Sequence, residues 1–399
     1  MNVKNVVIVN DFNYTQGGAS KVAIDTARLL KENGINVYFF SAVNKKEENI
    51  EGITYISTNQ EEALKEKNKI KGAINGIYNF KAKRELKKLL KKLEPQNTII
   101  HVHGWTKALS SSVFLVLKKM KFNIVLTVHD YFLSCPNGGL FNYNENAICR
   151  FKPMSIKCLK CNCDSRNYLF KIYRVIRQIV QNRIIKKIKA NAIYISDFSK
   201  NKLDNRYVKE WNNIIIANPA GFEKSDITQY INDKFIFVGR VSKEKGIELY
   251  CEAIEKTNSK GIVIGDGPLR EELESKYQNI EFYGWREKEE IKEELLKSRA
   301  LVFTSLWYET MGLTALEAQS LGIPVIVGDE CCTSQYINNN KNGLIYKMGN
   351  LQDLCKKIEI LKDDRIVEEM KKNTYKNYWL NPFSYDKYIN NLLEFYKNI

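Results

Sequence analysis

The sequence predicts an α/β fold of two doubly wound lobes, each a mostly parallel sheet covered by helices. Short apolar runs alternate with stretches of helical spacing along the 399 residues, as in parallel strands joined by crossover helices. The alternation occurs twice, with a break at Asn218-Pro219, and a chain of this length exceeds one ordinary hydrophobic core. We therefore expect an N-terminal lobe over 1–219, a C-terminal lobe over 220–382 and a last helix, 383–399, packed on the lobes.

The individual elements follow from hydrophobic periodicity. The chain opens with an apolar run over 6–9, a glycine-bearing loop, a helical period over 19–33 and a second apolar run over 35–40. Further buried parallel strands are predicted at 98–102, 124–128, 192–195 and 214–217, and in the second lobe at 234–238, 261–264, 280–283, 300–304 and 324–327. Ligands of such sheets bind beyond the carboxyl ends of the strands, so the loops that follow the strands are the expected site.

The chain is strongly basic, with a formal net charge of +16 and a pI of about 9.2. Nucleic acid, anionic lipid and phosphorylated small molecules are the partners that such a charge favours. No apolar stretch reaches the roughly 18 residues of a membrane-spanning helix, and the first residues lack the features of a signal peptide. We therefore expect a cytoplasmic protein.

The segment 305–327 carries the strongest motif, S-L-W-Y-E-T-M-G-L-T-A-L-E-A-Q-S-L-G-I-P-V-I-V. A strand ends before it, a loop carries Glu309, and a helix is predicted to begin near Gly312 and to include Glu317. The unpaired N–H groups at the beginning of a helix form an anion site. A pyrophosphate fits there, with a sugar toward Glu309 and a ribose toward Glu317, since carboxylates accept hydroxyl hydrogen bonds. Alone, two glutamates eight residues apart would be taken for ordinary surface and helix-face acids.

A second motif, F-I-F-V-G-R-V-S-K-E-K-G-I-E over 235–248, brings Gly239, Arg240 and Lys245 to the end of another strand. Arginine binds phosphate oxygens through two parallel hydrogen bonds, and lysine adds a point charge. The alternative is a solvated loop rich in lysine and glutamate, of which this chain has several.

Two further turns follow neighbouring strands of the same lobe. The first contains Gly265 and Gly267, and its alternative interpretation is a tight turn with no ligand. The second carries Trp285, whose neighbouring backbone is a candidate to receive a nucleotide base. A packed aromatic side chain is the alternative at that position.

The N-terminal lobe offers a glycine pair and two histidines at strand ends. Gly17 and Gly18 lie at the beginning of the first helix, where a backbone without side chains permits close approach of a ligand, or simply makes an ordinary turn. His103 and His129 follow two strands that we expect to be neighbours. A single histidine is usually structural, but two at one edge of a sheet are candidates for a site.

In this order and spacing, the motifs resemble retaining glycosyltransferase family 4, which has the GT-B fold: two Rossmann-like doubly wound lobes that face a central cleft. The resemblance extends over essentially the whole chain. Its most specific part is the E-x7-E motif, Glu309 to Glu317, with the following G-I-P-V-I. It implies that Glu309 contacts the donor sugar, Glu317 the ribose, and Arg240 and Lys245 the diphosphate.

The same resemblance assigns further residues. The backbone of Thr310, Met311, Gly312 and Leu313 is implied to hold sugar and phosphate oxygens, together with the donor-side positions Gly239, Gly265, Gly267 and Trp285. His129 matches the histidine beside the reacting sugar, and His103, Gly17 and Gly18 are placed on the acceptor side. Two departures stand out: Thr310 replaces a frequent glycine and narrows the sugar subsite, and Ser20 replaces a frequent acid near the acceptor.

The resemblance implies a hexosyltransferase that retains the configuration of the sugar. The donor is expected to be a nucleotide diphosphate sugar, with UDP favoured and GDP an option. The acceptor is expected to be a glycan or a lipid-linked glycan in surface polysaccharide or glycolipid synthesis. Because the sequence has no Asp-x-Asp cluster at a phosphate position, no cofactor and no catalytic metal are expected.

A cysteine-rich insertion is expected over 135–163. Cys149, Cys158, Cys161 and Cys163 are candidate thiolate ligands of a structural zinc ion, since a reduced compartment favours metal binding over disulfides. Their spacing matches no standard zinc finger, so unligated thiols are the alternative.

Two basic amphipathic segments, 82–93 and 171–190, account for much of the charge. One interpretation is a core-facing apolar stripe with a solvated basic face. The other is attachment to an anionic membrane surface that carries a lipid-linked acceptor, which would make the protein peripheral on the inner face of the membrane.

Two rival functions are consistent with parts of the sequence. One is a GT-B nucleotide-sugar epimerase, which would need acid–base groups around the sugar, and the chain has only 3 histidines. The other is a basic nucleic-acid-binding protein with a zinc module, but no RNA-binding or helix-turn-helix signature supports it. We therefore expect no nucleic-acid partner.

Overall fold

The computed structural model describes residues 3–203, 205–226 and 232–399, which form two compact units. The first unit comprises Met1–Gly139, Phe151–Pro219 and Tyr385–Ile399, and the second comprises Leu140–Arg150 and Ala220–Ser384. Each unit has its own parallel sheet, so the predicted α/β fold of two doubly wound lobes is confirmed.

The strands are, in chain order, β1 (Asn5–Val9), β2 (Asn36–Ser41), β3 (Thr54–Ser57), β4 (Thr98–Val102), β5 (Asn123–Val128), β6 (Phe141–Asn142), β7 (Ala147–Ile148), β8 (Asn191–Tyr194), β9 (Asn212–Ile215), β10 (Lys234–Val238), β11 (Lys260–Ile264), β12 (Ile280–Gly284), β13 (Ala300–Phe303), β14 (Val325–Gly328) and β15 (Gly343–Tyr346).

The α-helices are α1 (Gly18–Glu32), α2 (Lys69–Ile77), α3 (Phe80–Leu90), α4 (Ser112–Met120), α5 (Ile156–Lys160), α6 (Tyr168–Ile185), α7 (Asp197–Lys202), α8 (Arg206–Lys209), α9 (Ile247–Lys256), α10 (Arg270–Lys276), α11 (Lys288–Leu296), α12 (Leu313–Ser320), α13 (Leu351–Ile360), α14 (Asp364–Leu380) and α15 (Tyr385–Lys397). None of these helices is long and apolar enough to cross a membrane, within the part of the chain that the structure describes.

The sheet of the first unit has the order β3-β2-β1-β4-β5-β8-β9, and all its strands are parallel. The central strand, β1, is apolar on both faces because helices cover both, and Val6 to Val9 are fully buried. The strand order reverses between β1 and β4. Such a reversal is where doubly wound sheets bind their ligands.

The last helix, α15, belongs to the first unit. Its apolar side joins the core of that unit through Tyr388, Leu392 and Tyr396. The hydroxyl of Tyr388 lies 2.7 Å from the hydroxyl of Thr26 on α1, so the polar end of a buried tyrosine is satisfied. The chain therefore returns to the first unit after completing the second.

The sheet of the second unit has the order β12-β11-β10-β13-β14-β15, again all parallel. Here the order reverses between β10 and β13. A short antiparallel hairpin, β6–β7, is also part of this unit, although its sequence lies within the first half of the chain.

Four strands were not predicted: the two hairpin strands β6 and β7, and β3 and β15, which lie at edges of the parallel sheets. The residues of β3, T-Y-I-S, are half-exposed and do not alternate clearly between apolar and polar. The four residues of β15, G-L-I-Y, follow a run of asparagines that favours turns. Edge strands pair on one side only, so their sequences carry a weaker hydrophobic signal.

Candidate active site

In the second unit, the loops after β10 and β13 are hydrogen-bonded to each other at the reversal of strand order. The backbone N–H of Leu306 donates to the carbonyl of Glu244 over 2.9 Å. The hydroxyl of Thr304 donates to the carbonyl of Lys245 over 3.1 Å. The two sequence motifs that predicted a phosphate site, 235–248 and 305–327, are therefore brought together by the topology of the sheet.

Lys245 and Glu309 form an ion pair at this junction. Nζ of Lys245 lies 2.5 Å from Oε1 of Glu309, and the hydroxyl of Ser305 donates to the same oxygen over 2.6 Å. Burial raises the pKa of Glu309, but the ammonium of Lys245 and these two hydrogen bonds outweigh it and hold the pKa below its usual value. Glu309 is therefore a buried carboxylate that stays ionised at neutral pH.

The pair is not equally shielded on its two sides. The side chain of Glu309 is 9% exposed and that of Lys245 is 24% exposed. The ammonium also lies 5.1 Å from the centre of the Trp307 ring, which provides a cation–π contact. Because an ammonium has three donors and only one is directed at Glu309, Lys245 retains donors for a second anion.

Helix α12 begins at this junction, with Gly312 as its N-cap. Gly312 has φ = 73°, and a Cβ atom there would lie 2.2 Å from Oγ1 of Thr333. Only glycine fits such a position without strain or displacement of Thr333. No side-chain hydrogen bond caps the helix at Gly312, and the first N–H groups of a helix have no partner within the helix.

The remaining predicted donor residues of this segment differ in exposure. Met311 is buried, so only its backbone is available to a ligand. Thr310, Leu313 and Glu317 are partly exposed, and Glu317 lies in the second turn of α12.

Arg240 is placed differently from Lys245. Its side chain is 67% exposed, and its guanidinium lies 3.9 Å from Glu244, a distant and weak ion pair. Glu244 itself is buried and accepts a hydrogen bond from Ser242 over 2.8 Å. Arg240 is therefore an exposed cation on the loop after β10, and its ion-pair partner is Glu244 rather than Glu309.

The predicted glycines after β10 and β11, namely Gly239, Gly265 and Gly267, are explained by the packing of the loops. The N–H of Gly239 donates to Ile264 over 2.9 Å, and that of Gly265 donates to Gly284 over 2.8 Å. A Cβ at Gly265 would lie 1.9 Å from the carbonyl oxygen of Gly239, and one at Gly267 would lie 2.3 Å from that of Val241. These glycines let the loops pack backbone to backbone, which requires no ligand. Directly after them, Trp285 is 67% exposed.

Sequence reasoning missed Arg150, which the β6–β7 hairpin places on the loop that carries Glu309. Its guanidinium donates to the hydroxyl of Tyr308 over 2.8 Å and to Oε1 of Glu330 over 2.6 Å. Arg150 directly follows Cys149, a predicted site residue, but nothing in the local sequence indicates that the hairpin contacts the loop after β13.

The first unit has a histidine cluster at the ends of β4 and β5. Nδ1 of His103 lies 3.0 Å from Nε2 of His129, so one of these nitrogens donates to the other. Burial lowers the pKa of His129 to about 3 and that of His103 well below its ordinary value. Both imidazoles are therefore neutral at neutral pH.

His101, which was not predicted, supports this cluster from within the sheet. It lies 2.6 Å from the hydroxyl of Tyr396 on α15 and 2.7 Å from that of Thr127 on β5. The rings of His101 and His103 are 4.1 Å apart. The last helix of the chain thus supports the histidines of β4.

A cavity of about 10 Å³, room for one water molecule, adjoins His103 and His129. Among the residues that the structure describes, Nε2 of His103 is buried without a hydrogen-bond partner. Asp130 lines the same cavity, and burial raises the pKa of this carboxyl to about 6. Sequence reasoning had passed over Asp130, although it follows His129 directly.

Gly17 and Gly18 lie where α1 begins, at the end of the loop that follows β1. A Cβ at Gly17 would meet no atom within 4 Å, so packing does not explain this glycine. The loop after β4 is organised by Asp11, whose carboxylate accepts backbone hydrogen bonds from Lys107, Ala108 and Leu109.

The predicted zinc site is wrong. Over residues 3–203, 205–226 and 232–399, no group of three or more His, Cys, Asp or Glu side chains is arranged to hold a metal ion. Instead, the buried ammonium of Lys171 lies 3.2 Å from the sulfur of Cys163 and 3.6 Å from that of Cys158. A cation already occupies the space between these thiols, and it would repel a second cation. Cys149 and Cys161 are only partly buried.

Comparison with known families and proteins gives one consistent result. A family model described as Glycosyltransferase Family 4 matches residues 16–218, and one described as Glycosyl transferases group 1 matches residues 229–377. An uncharacterised 41.2 kDa protein in the cps region of Klebsiella pneumoniae is 26% identical over 76% of this chain and 87% of its own length. An Escherichia coli UDP-Gal:alpha-D-GlcNAc-diphosphoundecaprenol alpha-1,3-galactosyltransferase is 29% identical over 41% of this chain and 44% of its own.

Solved structures share the fold over the full length. A glycosyltransferase from Rickettsia africae superimposes with a TM-score of 0.67 at 19% identity and covers 100% of this chain and 99% of its own. Anabaena HepE, solved in complex with UDP, superimposes with a TM-score of 0.68 at 14% identity and covers 100% of both chains.

Proposed function

This chain belongs to the GT-B glycosyltransferases, and from that premise we propose a retaining hexosyltransferase that uses a UDP-sugar. The acceptor that we propose is a glycan or lipid-linked glycan of surface polysaccharide synthesis. Because the chain belongs to a family of enzymes, the non-enzymatic alternative, a nucleic-acid-binding protein, has no support.

One observation carries the proposal: the ion pair of Lys245 and Glu309 in front of α12. The sheet reverses its strand order there, and two loops supply one buried anion, one ammonium with unused donors and the beginning of a helix. This combination offers positive charge to a diphosphate and a hydrogen-bond acceptor to a sugar hydroxyl.

The roles of the donor-side residues follow from their charge. We assign the diphosphate to Lys245, Arg240 and the N–H groups after Gly312, which stabilise the charge that develops on the leaving phosphate. Glu309 accepts hydrogen bonds from the sugar hydroxyls, and Glu317 accepts those of the ribose. Lys245 exchanges part of its contact with Glu309 for the phosphate when the donor binds.

We further propose that the base lies beside Trp285, whose ring is exposed after β12. Exposed aromatic rings are favourable surfaces for a planar base. The glycines at 239, 265 and 267 contribute by keeping the neighbouring loops close together rather than by touching the donor through a side chain.

On the acceptor side, we propose that His129 donates a hydrogen bond to the reacting sugar as a neutral imidazole. The bond to His103 fixes its ring, and the low pKa keeps it uncharged. Retention is proposed to proceed by departure and attack on one face of the sugar. The bond from the anomeric carbon to the phosphate oxygen breaks, the acceptor oxygen bonds to that carbon, and the leaving phosphate takes the acceptor proton.

Names of similar proteins support the choice of substrates. One relative is encoded in a cps region, another uses UDP-Gal and a diphosphoundecaprenol-linked acceptor, and a structural neighbour was solved with UDP. We favour a UDP-sugar for these reasons, and we propose a cytoplasmic location separately, from the sequence alone.

The test is a transfer assay with a panel of UDP- and GDP-sugars, followed by NMR of the product. We expect UDP release with one UDP-sugar, an anomeric configuration equal to that of the donor, and full activity in EDTA. Glu309→Gln should lose transfer, whereas Lys243→Met, a change of an exposed lysine on the same turn as Lys245, should keep it. An inverted product, loss of activity in EDTA, or conversion of the donor sugar to its epimer would each contradict the proposal.

A further inference from the structure

Helix α6 exposes an apolar stripe on the side opposite to its packed side. Leu169, Ile172, Ile176 and Ile179 have exposures between 37% and 75%. They recur at intervals of three and four residues and therefore lie on one side of the helix. The buried positions of the same helix, among them Lys171, Gln178, Gln181 and Ile185, lie on the other side. The helix is thus apolar where it meets solvent and partly polar where it packs.

Helix α2 packs beside α6 and carries two exposed apolar side chains of its own. Gly76 approaches α6 so closely that a Cβ there would lie 1.9 Å from the hydroxyl oxygen of Tyr173. Gly72 and Gly76 form the buried side of α2. On its opposite side Ile70 and Ile74 are exposed by 75% and 51%. We call the four α6 residues, Leu169, Ile172, Ile176 and Ile179, the exposed apolar face.

The surroundings of this face are positively charged. Residues 151–196 contain eleven Lys and Arg side chains and one acidic residue, Asp164; of the eleven, Lys171 and Arg177 are enclosed by protein and Arg174 pairs with Asp164, which leaves eight for the surface. Asp164 is buried and pairs with Arg174 over 2.7 Å, so it adds no negative charge to the surface. Residues 67–84 contain six basic side chains and no acidic one. Arg183, four residues after Ile179, extends the stripe with an exposed charge.

The other basic segment behaves differently. Helix α3 buries its apolar side, through Ala82, Leu86, Leu89 and Leu90, and exposes its lysines. It is an ordinary amphipathic helix whose apolar side packs on the protein. The two interpretations left open by the sequence therefore divide between the two segments: 82–93 buries its apolar side chains, and 171–190 leaves several of them exposed.

From these contacts we propose that the exposed apolar face and its basic border bind the surface of an anionic lipid bilayer. Aliphatic side chains flanked by many lysines and arginines suit a lipid interface, whereas protein interfaces are depleted in lysine and enriched in aromatic anchors. Bound in this way, the first unit is held at the leaflet that carries a lipid-linked acceptor. That last step rests on the proposed function, but lipid binding itself does not.

The test is flotation of the full-length protein with vesicles of phosphatidylcholine alone or with 30% phosphatidylglycerol, a composition of roughly the charge of an anionic leaflet. We expect flotation with the anionic vesicles, little with the neutral ones, and a strong decrease in high salt. Ile172→Ser with Ile176→Ser should weaken binding at least about ten-fold, because two exposed apolar side chains no longer insert. Arg183→Glu should weaken it by roughly five-fold or more.

Matched controls lie on α14 in the second unit. Ile366→Ser and Lys372→Glu change an exposed isoleucine and an exposed lysine outside the face and should leave flotation unchanged. Absence of flotation in the wild type, or equal flotation of the double serine variant, would overturn the proposal. A dimer that the serine changes dissociate, together with no vesicle binding, would assign the face to a second copy of the chain and also overturn it.

A parallel measurement separates this proposal from the proposed function. Thermal stabilisation by UDP reports on the second unit and should be the same in the serine variants and the wild type. Flotation without UDP stabilisation would refute the donor assignment and leave the lipid proposal standing. UDP stabilisation without flotation would do the reverse.

Discussion

Replacing Lys245 by methionine tests the ion pair with Glu309 most sharply. Methionine keeps much of the length of the lysine stem and removes the charge, so Glu309 is left buried with Ser305 as its remaining side-chain donor in the pair described above. Breaking a buried ion pair by removing one partner costs about 3–5 kcal/mol. Because Lys245 is 24% exposed, we expect the lower end, about 3 kcal/mol.

The pH dependence has a defined sign. In the wild type the pKa of Glu309 lies below its ordinary value, so the pair stabilises the fold above the unfolded-state pKa, and this contribution is lost as the pH falls through the folded-state pKa. Without Lys245, burial acts on the carboxyl against the hydrogen bond from Ser305 but no longer against an ammonium, which favours the protonated form. The difference in stability between wild type and Lys245→Met should therefore be larger at pH 7.5 than at pH 4.5.

A double-mutant cycle measured by thermal unfolding checks the reasoning. A loss of about 3 kcal/mol should lower the melting temperature by roughly 6–12 °C for a unit of this size. Adding Glu309→Gln to Lys245→Met should recover about 2 kcal/mol, since the unpaired charge is then absent. Additive effects of the two changes, or an unchanged melting temperature in Lys245→Met, would refute the pair as described.

Three further predictions concern other parts of the two units. Gly312→Ala should destabilise the protein by about 2 kcal/mol and should weaken UDP binding. The control is Gly34→Ala, whose glycine has a similar φ of 77° but no neighbour within 4 Å, so that only the backbone strain of about 1 kcal/mol is lost. Equal losses of stability for the two variants in calorimetry would contradict the close contact between Gly312 and Thr333. The pH profile of the transfer rate should show no ionisation of His129 near pH 6.5, because the pKa of this buried imidazole is about 3. The stability of the fold should decline below pH 6.5, because the histidines gain protons in the unfolded chain only. A change of the transfer rate near pH 6.5 that disappears in His129→Gln would contradict this prediction. Arg150→Ala should change the stability by less than about 1 kcal/mol, because the side chain is exposed. The same change should raise the KM for the donor, because Tyr308 loses its hydrogen bond from Arg150. An unchanged KM would show that Arg150 is not part of the site.

Much of the fold could be predicted from the sequence, because buried parallel strands are short, apolar and separated by helical periods. The reversals of strand order were not predictable from any local pattern, and they decide which loops meet. Lys245 and Glu309 are 64 residues apart and could be named separately as site residues, but their direct pairing depends on β10 lying next to β13.

The zinc prediction failed for a related reason. A cysteine spacing shows that thiols are available, but it does not show what lies between them. Lys171 comes from α6 and is the side chain beside Cys158 and Cys163. A lysine on a basic helix gives no sign in the sequence that it is buried.

The exposed stripe of α6 shows the limit of amphipathic patterns. One interpretation of 171–190 was a single apolar stripe facing the core, yet Ile184 and Ile188 are buried while Ile172, Ile176 and Ile179 are exposed. Periodicity identifies the apolar side of a helix. It does not tell whether protein or solvent lies beside it.

The central claim is that the loops after β10 and β13 hold a nucleotide diphosphate, and calorimetric titration with UDP tests it most directly. Lys245→Met should weaken UDP binding by roughly ten- to a hundred-fold, the equivalent of one charge-assisted hydrogen bond. Lys243→Met and Glu309→Gln should bind UDP within a few-fold of the wild type, since neither residue is assigned to the phosphates. Equal affinity of Lys245→Met and the wild type, or no binding of UDP by the wild type, would contradict the claim.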